Sequence, residues 1–132
     1  MLIVTSFTAS ILTIIFVKLS FAVIGLRRKN KVALGSGGQE ELERAIRAHG
    51  NFAEYVPFGL FLIACLELNG APWWLVTIPA FTLIIGRLIH AKGINVPAPD
   101  FSKRVLGMKF TFYTLITLAL LNIGWSAFKL FF

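Results

Sequence analysis

The chain has 132 residues, 57% hydrophobic and 14% charged, with a formal net charge of +7 and a mean hydropathy of +0.79. A soluble domain carries about 25% charged residues, so this composition excludes an ordinary water-exposed fold and suits a small one-domain membrane protein with room for four spanning helices. The positive charges are clustered beside apolar runs rather than spread, which argues against a nucleic-acid surface and reads as a topology signal.

In chain order, residues 2–26 form the first expected span. It lacks the charged start and small-residue cleavage site of a signal peptide, so it is expected to stay in the mature protein. Lys18 lies within reach of the basic end and can either snorkel to it or point into the bundle. Arg27, Arg28, Lys29 and Lys31 follow at once and mark the cytoplasmic side. Gly35-Ser36-Gly37-Gly38 reads as a flexible turn. Glu40, Glu41 and Glu43 then suit the positive end of a second helix. That helix is expected from about Gln39 to Leu68, with 45–68 inside the bilayer. Gly50 is placed to let a neighbouring helix approach, and Pro57 to kink the helix by removing a backbone hydrogen bond.

Asn69-Gly70-Ala71-Pro72 is a short turn without a basic residue, beside the interfacial pair Trp73 and Trp74, so it is expected on the non-cytoplasmic side. A third span is expected over 74–91, with Arg87 and His90 on one face of its inner end. A loop follows from Lys92 to Lys103, closing in Lys103-Arg104. The fourth span is expected over 106–128. Both termini are then non-cytoplasmic. Cys65, the single cysteine, sits in an apolar run as a packing residue and permits no intrachain disulfide. No Cys/His cluster with metal-ligand spacing occurs, so no metal is expected.

One stretch organises the rest. Residues 43–57 read ERAIRAHGNFAEYVP. On a helix, Arg44, Arg47, Asn51 and Glu54 share one face, with His49 roughly opposite. Each charged side chain near a bilayer centre costs about 2.5–3.5 kcal/mol on insertion scales, so such a stripe persists where it faces a protein interior or a polar ligand. With Arg27, Arg87, His90 and Arg104 at the same inner depth, the arginines outnumber the carboxylates and suit a small zwitterionic ligand held by bidentate guanidinium contacts. The competing reading is internal pairing: Arg47 with Glu54, Arg44 with Glu40 or Glu41, and loop arginines with lipid phosphates.

The motif Glu43-Arg44-x-x-Arg47-Ala48-x-x-Asn51-x-x-Glu54-Tyr55-x-Pro57 resembles the second-helix signature of the MAPEG family, the membrane-associated proteins of eicosanoid and glutathione metabolism. The likeness extends over nearly the whole chain. Arg87-x-x-His90 is similar to the third-helix motif of the prostaglandin synthase branch, and Leu68-Asn69-Gly70-Ala71 resembles a turn in bacterial members. The resemblance implies an all-α integral membrane four-helix bundle that assembles as a homotrimer, with glutathione as co-substrate in a site between subunits that opens to the cytoplasm. It further implies that Arg27, Arg47, Asn51, Glu54, Tyr55 and His90 hold glutathione and that Arg104 stabilises its thiolate, with Arg44, His49 and Arg87 as additional candidates. Ile94 stands where synthase relatives carry a tyrosine, and His49 where they carry a glutamine or similar residue.

Two functions are compatible with this reading. One is a bacterial inner-membrane glutathione transferase or peroxidase that turns the thiolate on small lipophilic electrophiles dissolved in membrane lipid. The other is a non-catalytic lipid-binding or scaffold protein of the same fold. Retention of Arg47, Asn51 and Glu54 favours the enzyme.

Overall fold

In a computed structural model, residues 1–94 (the last by its backbone alone) and 101–131 are described. They form four helices: α1 (Ile3–Asn30), α2 (Glu40–Leu68), α3 (Trp73–Ile94) and α4 (Phe101–Phe131). All four are long and apolar enough to cross a membrane. α1 has 28 residues, about 42 Å of rise, which exceeds the roughly 30 Å of a hydrocarbon core. The helices therefore run past the expected spans at their inner ends. Arg27, Arg28 and Lys29 form the last turn of α1, where positive charge complements the helix dipole. Lys31 closes that helix in the left-handed conformation, with the Val32 N–H donating to the Arg27 carbonyl at 3.0 Å.

The loop expected from Lys92 to Lys103 is shorter than its prolines suggest. α3 continues to Ile94 and α4 begins at Phe101, so Lys103 and Arg104 belong to the first turn of α4. Pro97, Pro99 and Asp100, with the Ile94 side chain, lie outside the described residues. α2 runs through Pro57 without interruption. Between α1 and α2, Gly35, Gly37 and Gly38 all adopt positive φ, which makes this turn a glycine requirement.

α2 and α3 lie inside; α1 packs on both, α4 packs on both, and α1 and α4 do not touch each other among the described residues. The core is a seam of Leu12, Phe52, Ile63, Leu66, Leu83 and Leu118. In lipid this seam gains little from leaving water, because the alternative surroundings are equally apolar, so close packing and buried polar contacts must hold the helices together. Both are present. A Cβ on Gly59 would lie 2.6 Å from Leu83 Cδ2, one on Gly86 would lie 3.2 Å from the Gly107 carbonyl, and one on Gly107 would lie 2.5 Å from the His90 backbone nitrogen. Gly50 does not play this part: among the described residues no atom of another helix lies within 4 Å of where its Cβ would be, because that side of α2 opens into a groove.

Polar contacts tie the end of the bundle where α1 starts and α2 stops. Glu67, near the end of α2, accepts from the Val4 and Thr5 backbone N–H groups at 2.8 Å each and from Thr5 Oγ1 at 2.6 Å. It caps α1, which has no side-chain cap of its own. Trp125 Nε1 donates to the Asn69 carbonyl at 2.9 Å, and Asn122 Nδ2 to the Leu62 carbonyl at 3.0 Å.

Candidate functional site

A groove of about 690 Å³ opens between α2, the inner end of α3 and the start of α4. It is lined by Glu43, Ile46, Arg47, Gly50, Asn51, Glu54, His90 and Arg104, so five of the candidates read from the sequence converge on one space. Its volume falls within the roughly 300–1,000 Å³ of small-molecule sites. Periodicity explains the α2 wall: positions 43, 47, 50, 51 and 54 repeat at three- and four-residue spacing. The α3–α4 wall depends on Gly107, whose missing side chain brings His90 against the backbone of α4.

The charged groups that line the groove, two glutamates and two arginines, do not all pair with one another. Arg47 Nε pairs with Glu43 one turn back at 3.2 Å, and Arg44 with Glu40 at 3.4 Å. Both pairs sit toward the water-exposed start of α2, where such contacts are worth about 0.3–0.5 kcal/mol. Arg47 is therefore not paired with Glu54, two turns away. Glu54 makes no hydrogen bond or ion pair among the described residues. On the facing wall, Arg104 has its Nε buried without a partner among the described residues, and its guanidinium carbon lies 5.3 Å from the Phe101 ring centre. His90 is 3% exposed, and its Nδ1 is likewise unpartnered.

Behind this wall lies the most deeply buried charged side chain among the described residues. Arg87 is 0% exposed. One of its terminal nitrogens donates to Asn51 Oδ1 at 2.7 Å; the other reaches Thr111 Oγ1 at 3.5 Å and Met108 Sδ at 3.9 Å. Its carbon lies 5.3 Å from the centre of the Phe52 ring. The sequence places Arg87 on the face of His90, but it does not reveal that Arg87 spans from α3 to both α2 and α4.

Four further candidates lie outside the groove. Arg27 donates to the carbonyls of Ala33 and Gly35, both at 3.0 Å, and so closes its own turn. Tyr55 packs edge-on against Phe112 at 5.3 Å. Arg44 lines an adjoining groove with Ser36, Gln39 and Arg104. His49 faces α1, as its helical position predicts: it stacks on Phe16 at 4.6 Å and lies 3.0 Å from Ser20 Oγ. Ser20 Oγ also lies 3.0 Å from the Phe16 carbonyl one turn back.

Residues 5–124 match the sequence profile of the MAPEG family. The chain is 37% identical over 129 residues to the inner membrane protein YecN of Escherichia coli K12, an alignment covering 98% of this chain and 97% of that one. It is equally similar to the protein of the same name in Escherichia coli O6:H1.

Proposed function

Because this chain belongs to the MAPEG family, we propose that it is an inner-membrane glutathione-dependent transferase, able also to act as a peroxidase, with its co-substrate held in the α2–α3–α4 groove. The observation that carries the reading is the groove's inventory. Arg47, Arg104 and His90 line the groove with a single unpaired carboxylate, Glu54, and two buried nitrogens, Arg104 Nε and His90 Nδ1, have no hydrogen-bond partner among the described residues. Glutathione answers each need. One of its carboxylates suits Arg47, its ammonium suits Glu54, and its thiol can lie against Arg104.

The chemistry follows from charge. A free thiol has a pKa near 8.5, so only a few per cent is thiolate at neutral pH. Lowering that pKa by one unit takes about 1.4 kcal/mol of differential stabilisation, no more than the roughly 1.5–3 kcal/mol that a hydrogen bond to a charged group contributes. Arg104 supplies it. The thiolate sulfur then bonds to the electrophilic atom of a lipid-dissolved substrate, and the displaced electron pair leaves with the leaving group or moves onto the acceptor.

The proposed assembly is a homotrimer, and it accounts for the scatter of Arg27 and His49. Both lie off the groove of their own chain, so any contact of theirs with glutathione would be with a molecule held by a neighbouring copy. A partner also covers Glu54, which otherwise stands exposed on a spanning helix. The experiment is glutathione titration of the detergent-purified protein, with its mass measured in the same detergent. A trimer that binds glutathione with an ultraviolet thiolate band is expected. Arg104→Ala should still bind, lose that band, and slow conjugation at neutral pH by about one to two decades, recovering partly as pH rises. Wild-type protein that takes up no glutathione overturns the function and leaves the scaffold reading. A monomer that binds it fully overturns the shared site.

The basic inner loops are proposed to face the cytoplasm, with both termini on the other side. In a Cys65-free background, cysteine at Asn69 should react with an impermeant thiol reagent in whole cells and cysteine at Ser36 should not. The opposite pattern inverts the topology.

A further inference from the structure

Arg87 is fully buried, yet it has no carboxylate partner among the described residues. Its best contact is Asn51 Oδ1 at 2.7 Å. A guanidinium only donates, so the Asn51 atom at that distance must be the oxygen, and the orientation of the amide is set by chemistry. The amide nitrogen is left over. It makes no hydrogen bond among the described residues, and Asn51 is part of the groove wall.

Arg87 is itself held in place. Thr111 gives its hydroxyl proton to the Gly107 carbonyl at 2.9 Å, which leaves its oxygen free to accept from Arg87. The Phe52 ring lies against the guanidinium. The result is a chain of directed bonds from Gly107 and Thr111 on α4, through Arg87 on α3, to Asn51 on α2. Its far end is the groove.

We propose that Arg87 is a positioning residue: it fixes the Asn51 amide so that the groove is offered two N–H donors and no acceptor, and the ligand atom seated there is a carboxylate or carbonyl oxygen. This inference rests on the glutathione reading above and refines it. Without Arg87 the amide could turn over and present its oxygen, which would repel a carboxylate. The groove thus gains selectivity for an acceptor from a residue that does not line it.

Two variants test this. Asn51→Asp keeps an oxygen for Arg87 and replaces the groove-facing N–H₂ with a second oxygen. It should retain the mass and thermal midpoint of the ligand-free protein and weaken glutathione binding at least about 30-fold. Arg87→Met should weaken binding about tenfold in the wild-type background and less than about twofold when position 51 is already alanine, because its effect passes through Asn51. A purely structural role would shift both backgrounds alike. If Asn51→Asp binds glutathione as tightly as the wild type, or if Arg87→Met has the same effect in both backgrounds, the proposal is overturned while the glutathione reading stands. Should Arg87→Met fail to fold, Asn51→Asp decides alone. Wild-type protein that binds no glutathione removes the reading on which both depend.

Discussion

Gly107→Ala should leave little or no folded protein. The new Cβ would lie 2.5 Å from the His90 nitrogen and 2.7 Å from both its Cα and Cβ. Two of these are backbone atoms, so no side-chain rotation relieves the clash, and α3 and α4 must separate. Overpacking in a soluble core costs about 1–3 kcal/mol. Here the cost falls on the most extensive helix contact among the described residues, in a solvent where close approach is itself the force that joins helices. The shift also pulls Thr111 from Arg87 and His90 from the groove. Gly124→Ala is the control, since nothing lies within 4 Å of its Cβ position on the same helix. Thermal midpoints in detergent should fall steeply for Gly107→Ala and stay level or rise for Gly124→Ala. Equal midpoints would mean that α3 and α4 do not meet at Gly107.

Glu54→Gln should abolish glutathione binding while the assembly survives. The substitution keeps volume and shape and removes the single unpaired carboxylate of the groove. The size of the loss also reports how closed the site is. An ion pair open to water is worth about 0–1 kcal/mol, so its removal would cost fivefold or less. Breaking a desolvated pair costs about 3–5 kcal/mol, or more than a hundredfold. Titration calorimetry separates the two, and the larger loss is expected for a groove covered by a neighbouring copy. If the variant binds normally, Glu54 does not take the ammonium. If it fails to assemble, the carboxylate is part of the structure instead.

The sequence shows its helices and its stripe more readily than the support behind them. Apolar runs of spanning length and clustered charge make the four helices readable, and three- and four-residue spacing puts Arg47, Asn51 and Glu54 on one face before any coordinates exist. Helix ends are harder, because the prolines at 97 and 99 suggest a longer break than the one between Ile94 and Phe101. The glycines show the limit most clearly. Gly50, Gly59, Gly86 and Gly107 all look alike in one dimension, and only packing reveals that Gly50 faces a groove while Gly107 faces a backbone. Arg87 escapes for the same reason: periodicity puts it beside His90, and only the crossing of α3 over α2 makes it a partner of Asn51. Glu67 resembles any carboxylate near a helix end, since its partners lie more than sixty residues back.

That distance has a consequence for synthesis. The Val4 and Thr5 N–H groups that open α1 find their acceptor on a residue made after almost all of α2. While α1 is the only helix yet translated, those groups have water or nothing, and hydrocarbon gives nothing. The smallest piece of this protein with a satisfied outer end is therefore the α1–α2 hairpin. The ribosome completes that piece only when it adds Glu67.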